Sequence, residues 1–236
     1  MSSFLGPEFN TKDLVFYFDT ANSKSYVSGT NMSNLVTSEV YDMQFSVTPN
    51  YNSSNLGTIG FNGTTMKGTI NNVNYPYDTN DEFTLQIWLN IPTGASWSNG
   101  FYSNILGRGD YAGFTGIVRS TIDNEISVVA RTLYSFKSLS TTITNNSWNQ
   151  LTMTMDTTTL SMYKNGVLVS SLVTGFTYST YDSTYPYVLA GALATSGSLG
   201  NSMSGTVSIV GLWSKSLNAQ DVLKTYNATK TRFGHL

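Results

Sequence analysis

Apolar and polar residues alternate with a period of two along much of this chain, and Gly, Asn and Asp punctuate the alternating runs, which is the pattern of half-buried strands. The segment EFTLQIWLNI sets Phe83, Leu85, Ile87, Leu89 and Ile91 on one side and Glu82, Thr84, Gln86, Trp88 and Asn90 on the other, and Pro92 ends it. Near the start, DLVFYFDT puts Leu14, Phe16 and Phe18 on one face and Val15 and Tyr17 on the other, so this strand is expected to be buried on both faces. A weaker strand is expected within Glu39–Val47, and LGTIGFNG closes on Asn62-Gly63, a pair suited to positive φ. Further strands are expected at Ser103–Gly107, Gly113–Arg119, Glu125–Leu133, Phe136–Ile143, Asn149–Asp156, Val188–Leu193 and Gly205–Trp213. The clearest hairpin is LSMYK-NG-VLVSSL, with the type I′ pair Asn165-Gly166 at its turn. One helix, about residues 218–228, is predicted late in the chain: Asn218 caps it, Asp221 stands at the third position, and Val222, Leu223 and Tyr226 form its apolar stripe.

About a dozen strands and one short C-terminal helix predict an all-β chain folded as a two-sheet antiparallel β-sandwich. Its 236 residues suit a single domain. Residues 1–12 read as an N-terminal arm and 13–236 as the sandwich. Phe83, Leu85, Ile87, Leu151, Met153, Val207 and Ile209 are expected to face the core. No repeat period, heptad or collagen triplet is visible.

Composition narrows the function classes. Charged residues are only 11% of the chain, the net charge is -2, and Ser, Thr and Asn fill about a third of it. Nucleic acid is a poor partner for such a chain, and a membrane surface would want basic clusters that are missing. No apolar run spans a bilayer, and MSSFLGPEFNTKD lacks the features of a signal peptide. Zero cysteines remove disulfides and thiolate chemistry, and the one histidine, His235, makes a triad or a His-based metal site improbable. A carboxylate-pair hydrolase would want two acids across a sugar, and the four glutamates, Glu8, Glu39, Glu82 and Glu125, lie far apart along the chain. The chain is therefore expected not to be an enzyme.

Calcium is the one cofactor left open, because its oxygen ligands leave no spacing signature. Asp78, Asp81, Asp110, Asp123, Asp156 and Asp182 all fall near loops, where Asx-turn geometry is the leading explanation of them. Arg108-Gly109-Asp110 spells an RGD triplet, read here as turn chemistry. Aromatic side chains supply the other signal: Trp97, Phe101 and Tyr102 cluster in GASWSNGFYS, and Tyr178, Tyr181, Tyr185 and Tyr187 crowd a later loop. Flat rings that lose little entropy suit sugar stacking or a protein interface, and they equally suit closure of the sandwich ends. Trp97, Tyr102, Tyr111, Tyr181 and Tyr185 are the candidate ligand or partner contacts.

The order EFTLQIWLNI, NILGRGD, SWNQLTMTMDTTTLSMYKNGVLVSS, YVLAGALA and MSGTVSIVGLWSKSLNAQDVL resembles the laminin-G-like, concanavalin A-like jelly-roll family over roughly residues 81–224. DLVFYFDTANSKSYVSGT and VLKTYNATKTRFG resemble the flanks of such domains in structural proteins of tailed bacteriophages. Within Asn31–Thr48, NLVTSEVYDMQF stands where the family usually carries W-x-D-L-S-G-N-G-N-x-G, so no functional residue transfers from that loop. The resemblance implies a virion component assembled in the host cytoplasm, either capsid decoration or a tail or neck appendage, acting by binding. Its implied partners are other virion proteins, with host-surface glycans as the alternative and a homo-oligomer left open.

Overall fold

The computed structural model describes residues 11–36, 41–53, 57–73, 82–95, 103–108, 114–120, 124–131, 135–175, 185–193, 199–200 and 203–236. In chain order the strands are β1 (Leu14–Asp19), β2 (Asn31–Met32), β3 (Met43–Phe45), β4 (Asn50–Asn52), β5 (Thr58–Asn62), β6 (Gly68–Ile70), β7 (Phe83–Asn90), β8 (Ser103–Arg108) and β9 (Thr115–Arg119). They continue as β10 (Glu125–Arg131), β11 (Phe136–Thr142), β12 (Trp148–Met155), β13 (Thr159–Lys164), β14 (Val167–Val173), β15 (Tyr187–Leu189), β16 (Ala192–Leu193), β17 (Leu199–Gly200) and β18 (Ser204–Trp213). Helix α1 (Ala219–Thr229) and a 3-10 turn (Lys230–Phe233) follow. Of the expected N-terminal arm, residues 1–10 lie outside the described residues.

Two antiparallel sheets stack face to face. The first runs β14-β13-β12-β7-β18-β5-β4, with β1 also pairing β18, and the second runs β11-β10-β9-β8-β15-β6-β3-β2. Strands β16 and β17 form a separate ribbon. Between the sheets Phe83, Leu85, Ile87, Leu89, Leu151, Met153 and Met155 of the first meet Ile117, Ile126, Val128, Tyr187 and Leu189 of the second. Removing these side chains from water supplies the main driving force for stacking. Asn165 and Gly166 both take positive φ, 51° and 77°, as the type I′ turn between β13 and β14 requires. Asn218 caps α1 as expected, its side-chain oxygen accepting from the Asp221 N–H at 3.0 Å.

Three expectations fail, each for a local backbone reason. A bulge between Leu14 and Phe16 slips the phase of β1, so Leu14 joins Tyr17 on the outer face and Val15 packs on the inner core. A second irregularity between Val207 and Ile209 in the pairing of β18 with β7 turns Ile209 outward, away from Val207 and the inter-sheet core. The run Val188–Leu193 is broken by Ala190 at φ 59°, which ends β15 and starts the β16–β17 ribbon. β5 closes on Asn62-Gly63 as expected, with Gly63 the one of the pair at positive φ, and the turn leads from the first sheet toward β6 in the second. The Asn62 carboxamide stabilises that crossing by accepting from the N–H groups of Thr64 and Thr65, each at 3.0 Å.

Candidate functional site

The outer face of the first sheet is divided in two by the irregularity at Ser208. On one side Trp88, Ile209, Tyr17 and Trp213 form an apolar patch covered by Leu217, Val222 and Phe233. Phe233 lies flat on Trp88 with ring centroids 4.1 Å apart, and Tyr226 stacks beside it at 5.8 Å. The indole N–H of Trp88 donates to the Thr229 hydroxyl at 3.0 Å, so the buried donor is satisfied. His235 bridges Trp148 and Tyr226, with Nε2 at 3.0 Å from the Trp148 carbonyl and Nδ1 at 2.8 Å from the Tyr226 hydroxyl.

Charge and hydroxyl contacts fasten this cover to the sheet. Arg232 Nη1 donates to both carboxylate oxygens of Asp19, at 2.7 and 2.8 Å, and its Nη2 donates to the Ser208 hydroxyl. Ser208 in turn donates to the Gly57 carbonyl at 2.9 Å, and the Thr20 N–H donates to the Ser208 carbonyl at 3.0 Å. The bulged residue of β18 is thus the point where β1, the loop before β5 and the C-terminal turn are joined. Burial, with Asp19 nearby as the next cause, pushes the Tyr17 phenol far above its ordinary value of 10.0, so this ring stays neutral under the cover.

Beyond Ser208 the same face is open and polar. The strand register lines up Asn50, Gly60, Thr206, Asn90 and Trp148 in one row across β4, β5, β18, β7 and β12. With Asn62, Ser204, Asn146 and Pro92 this row borders a groove of about 560 Å³. Among the described residues no charged side chain lines it. Asn62 and Asn146 are committed to structure, Asn146 donating to the Thr93 hydroxyl at 2.9 Å. The side chains of Asn50, Asn90 and Ser204 have no hydrogen-bond partner among the described residues and face the groove. A Cβ built on Gly60 would come no closer than 3.6 Å to Asn50, so the glycine leaves a trough between the two carboxamides. Each carboxamide offers a donor and an acceptor side by side, the complement of vicinal hydroxyls on a neutral ligand. Half-buried Trp148 stands at the far end of the row, its ring tilted on Phe233.

Of the contacts expected from sequence, Trp97, Tyr102, Tyr111 and Tyr181 lie outside the described residues. Tyr185 is half-buried just before β15, away from the groove lining. Tyr187, expected in the loop cluster, is instead a core residue at 1% exposure, packed edge-on to Phe16. Arg108 of the RGD triplet is buried beside the Tyr187 ring. Asp156 serves an Asx-turn, accepting from the N–H groups of Thr158 and Thr159, while Asp78, Asp81, Asp110, Asp123 and Asp182 lie outside the described residues. Among the described residues no group of three His, Cys, Asp or Glu side chains could hold a metal ion. Sequence reasoning missed the groove because its residues are ordinary Asn, Ser and Thr in a chain full of them. The one signal was Asn90 on the outward face of the strongest strand.

Comparison with solved structures finds the same architecture in toxin domains. The receptor binding domain of botulinum neurotoxin C/D mosaic serotype superposes with a TM-score of 0.70 at 14% identity, over 94% of this chain and 54% of that one. The binding domain of Paraclostridial Mosquitocidal Protein 1 gives 0.69 at 14%, over 94% and 55%. The binding domain of botulinum neurotoxin DC, solved in complex with SialylT, gives 0.67 at 11%, over 92% and 52%. The chain spans about half the length of these proteins, and at such identities the likeness shows the fold. No curated protein matches by sequence. A laminin-G family model matches residues 62–223, and the chain belongs to the concanavalin A-like lectin/glucanases superfamily.

Proposed function

We propose that this chain is a binding module that takes a neutral glycan in the groove between β4 and β7. The observation that carries the proposal is the row of Asn50, Gly60, Thr206 and Asn90, in which two uncommitted carboxamides flank a glycine trough with no charge in the lining. The structural neighbours support a binding role, since they are named as binding domains, one of them in complex with SialylT. With no cation among the described lining residues, the groove suits uncharged sugars over acidic ones. Titration calorimetry against a panel of neutral oligosaccharides tests this, with Asn90→Ala and Gly60→Val as variants. Losing one carboxamide contact costs about 1 kcal/mol, roughly a fivefold weakening. Filling the trough with Val abolishes binding while leaving the melting temperature near wild type. Binding that both variants retain in full would sink the groove as the site.

The two flanks that resemble phage structural proteins are built into the domain as β1 and as α1 with its 3-10 turn. On that resemblance we propose that the module is displayed on a tailed-phage particle, as capsid decoration or on a tail or neck appendage, and acts there by binding and not by catalysis. Mass spectrometry and cryo-EM of purified particles check this placement, and particles lacking the chain would end it.

A further inference from the structure

Among the described residues β14 has no hydrogen-bonded strand on its outer side, and as an edge of the first sheet it is unusual. Seven residues long, it carries exposed Val167, Leu168, Val169 and Val173, and no charged residue occurs between Lys164 and Asp182. Edge strands are ordinarily kept apart by charges, prolines or brevity. The opposite edges of the two sheets follow that rule, β4 having three residues and β2 two. Exposed Leu223 on α1, which packs against β14, and exposed Phe136 on the neighbouring edge strand β11 extend the apolar character.

The free hydrogen-bonding groups of this edge can be assigned. The Thr174 N–H donates to the Thr158 carbonyl at 2.7 Å, and β14 pairs β13 with Leu172 opposite Leu160 and Ser170 opposite Met162. Antiparallel ladders alternate, so Leu172 and Ser170 bond to β13 while the N–H and C=O of Ser171 and Val173 point away from the sheet. A bulge places Val169 outside the ladder as well.

We propose that β14 pairs with β14 of a second copy about a twofold axis through Ser171, joining the two first sheets edge to edge. In this register the outward groups of Ser171 exchange two hydrogen bonds with their own symmetry mates, and Val173 stands opposite Val169 of the other copy. An isologous contact sets the same edge against itself, so an edge of like charges would repel its copy, whereas this one sets only Val, Leu and Ser against each other. One strand pair with its flanking apolar residues falls at the small end of specific interfaces, so dissociation in the micromolar range is expected.

Sedimentation of the full chain across concentration reads the assembly directly. Ser171→Pro removes an N–H that makes no bond to β13, so it is tolerated by the monomer and blocks pairing. Val173→Lys installs the missing charge. Wild type is expected to dimerise near ~10 µM, both variants to stay monomeric to ~100 µM, and all three to melt within a few degrees of one another. Because the chain has no cysteine, Ser171→Cys adds a direct geometric test. Facing Cα atoms about 5.5 Å apart in a hydrogen-bonded pair lie within disulfide reach, so mild oxidation yields a covalent dimer, whereas Ser28→Cys on a remote exposed loop does not. A monomeric wild type would overturn the proposal and leave a strand of another protein as the occupant. A dimer that survives both Ser171→Pro and Val173→Lys would overturn it by placing the contact elsewhere.

Discussion

Replacing Phe233 with alanine tests whether the C-terminal turn is a structural cover. The ring is 6% exposed, stacks on Trp88 at 4.1 Å with an interplanar angle of 20°, and tilts onto Trp148 at 4.9 Å. Truncating a buried phenylalanine costs about 3–5 kcal/mol, and the lower end applies here because Tyr226 and Arg232 can settle into the space from the surface side. For a chain of this length the unfolding entropy near the midpoint is about 0.5 kcal/mol per degree, so 3 kcal/mol lowers the melting temperature by about 6 °C. Calorimetry of Phe233→Ala beside Leu236→Ala, whose side chain is fully exposed, isolates the effect. Trp88, completely buried in the native protein, should also shift its emission to the red as its cover loosens. A loss below about 1 kcal/mol with unchanged emission would refute the reasoning, because the outer patch would then be protected by something other than this ring.

Two further outcomes follow from the same region. Gly57 takes φ +59°, and a Cβ there would stand 2.4 Å from the Ala21 Cα and 2.6 Å from the Thr20 carbonyl oxygen. Gly57→Ala must therefore push apart the backbone that Thr20 and Ser208 hold together, and urea unfolding should show a loss of about 3 kcal/mol or more, with a cost under about 1 kcal/mol contradicting the close approach. Burial raises the phenols of Tyr17, Tyr26, Tyr163 and Tyr226 above their ordinary value of 10.0, with Asp19 as a second cause at Tyr17. Folded values above unfolded ones mean that the stability these groups contribute is complete below pH 10 and drains away as pH rises beyond it. Near-ultraviolet titration should find several of the fifteen tyrosines ionising only with alkaline unfolding, and all fifteen titrating together near pH 10 in the folded chain would contradict that.

How far the sequence carried the structure depended on whether alternation ran unbroken. Strand β7 has no bulge toward β12, and every inward residue from Phe83 to Leu89 lies where the period of two puts it. The hairpin at Asn165-Gly166 and the cap at Asn218 were legible because each depends on chemistry within a few residues. Leu14, Val15 and Ile209 were misplaced because a bulge inserts one residue and flips everything beyond it, and nothing in LVFYFD or TVSIV announces the insertion. Ser208 illustrates why: its value lies in bonds to Gly57 and Arg232, which are remote in sequence. Asn90 was assigned to the outward face. Only the placement of the C-terminal turn shows that Trp88, two residues earlier on that face, is covered while Asn90 is left open.

The two proposed surfaces sit at opposite ends of one sheet, and this gives a test that couples them. Strand order places β14 at one edge and the groove across β7, β18, β5 and β4 at the other, so pairing through β14 leaves both grooves uncovered and far apart. Single sugar sites built from a few neutral hydrogen bonds bind weakly, whereas two linked sites on a dense glycan surface gain about 10²–10⁴-fold in avidity without any new contact. Ser171→Pro should therefore bind a soluble monovalent oligosaccharide as wild type does, yet wash from a glycan-coated surface at least tenfold faster. Gly60→Val should lose both. Equal retention of wild type and Ser171→Pro on the surface would mean that the paired state does not present its grooves together. Loss of soluble binding in Ser171→Pro would mean that the edge and the groove are one coupled unit, against the separation that the strand order implies.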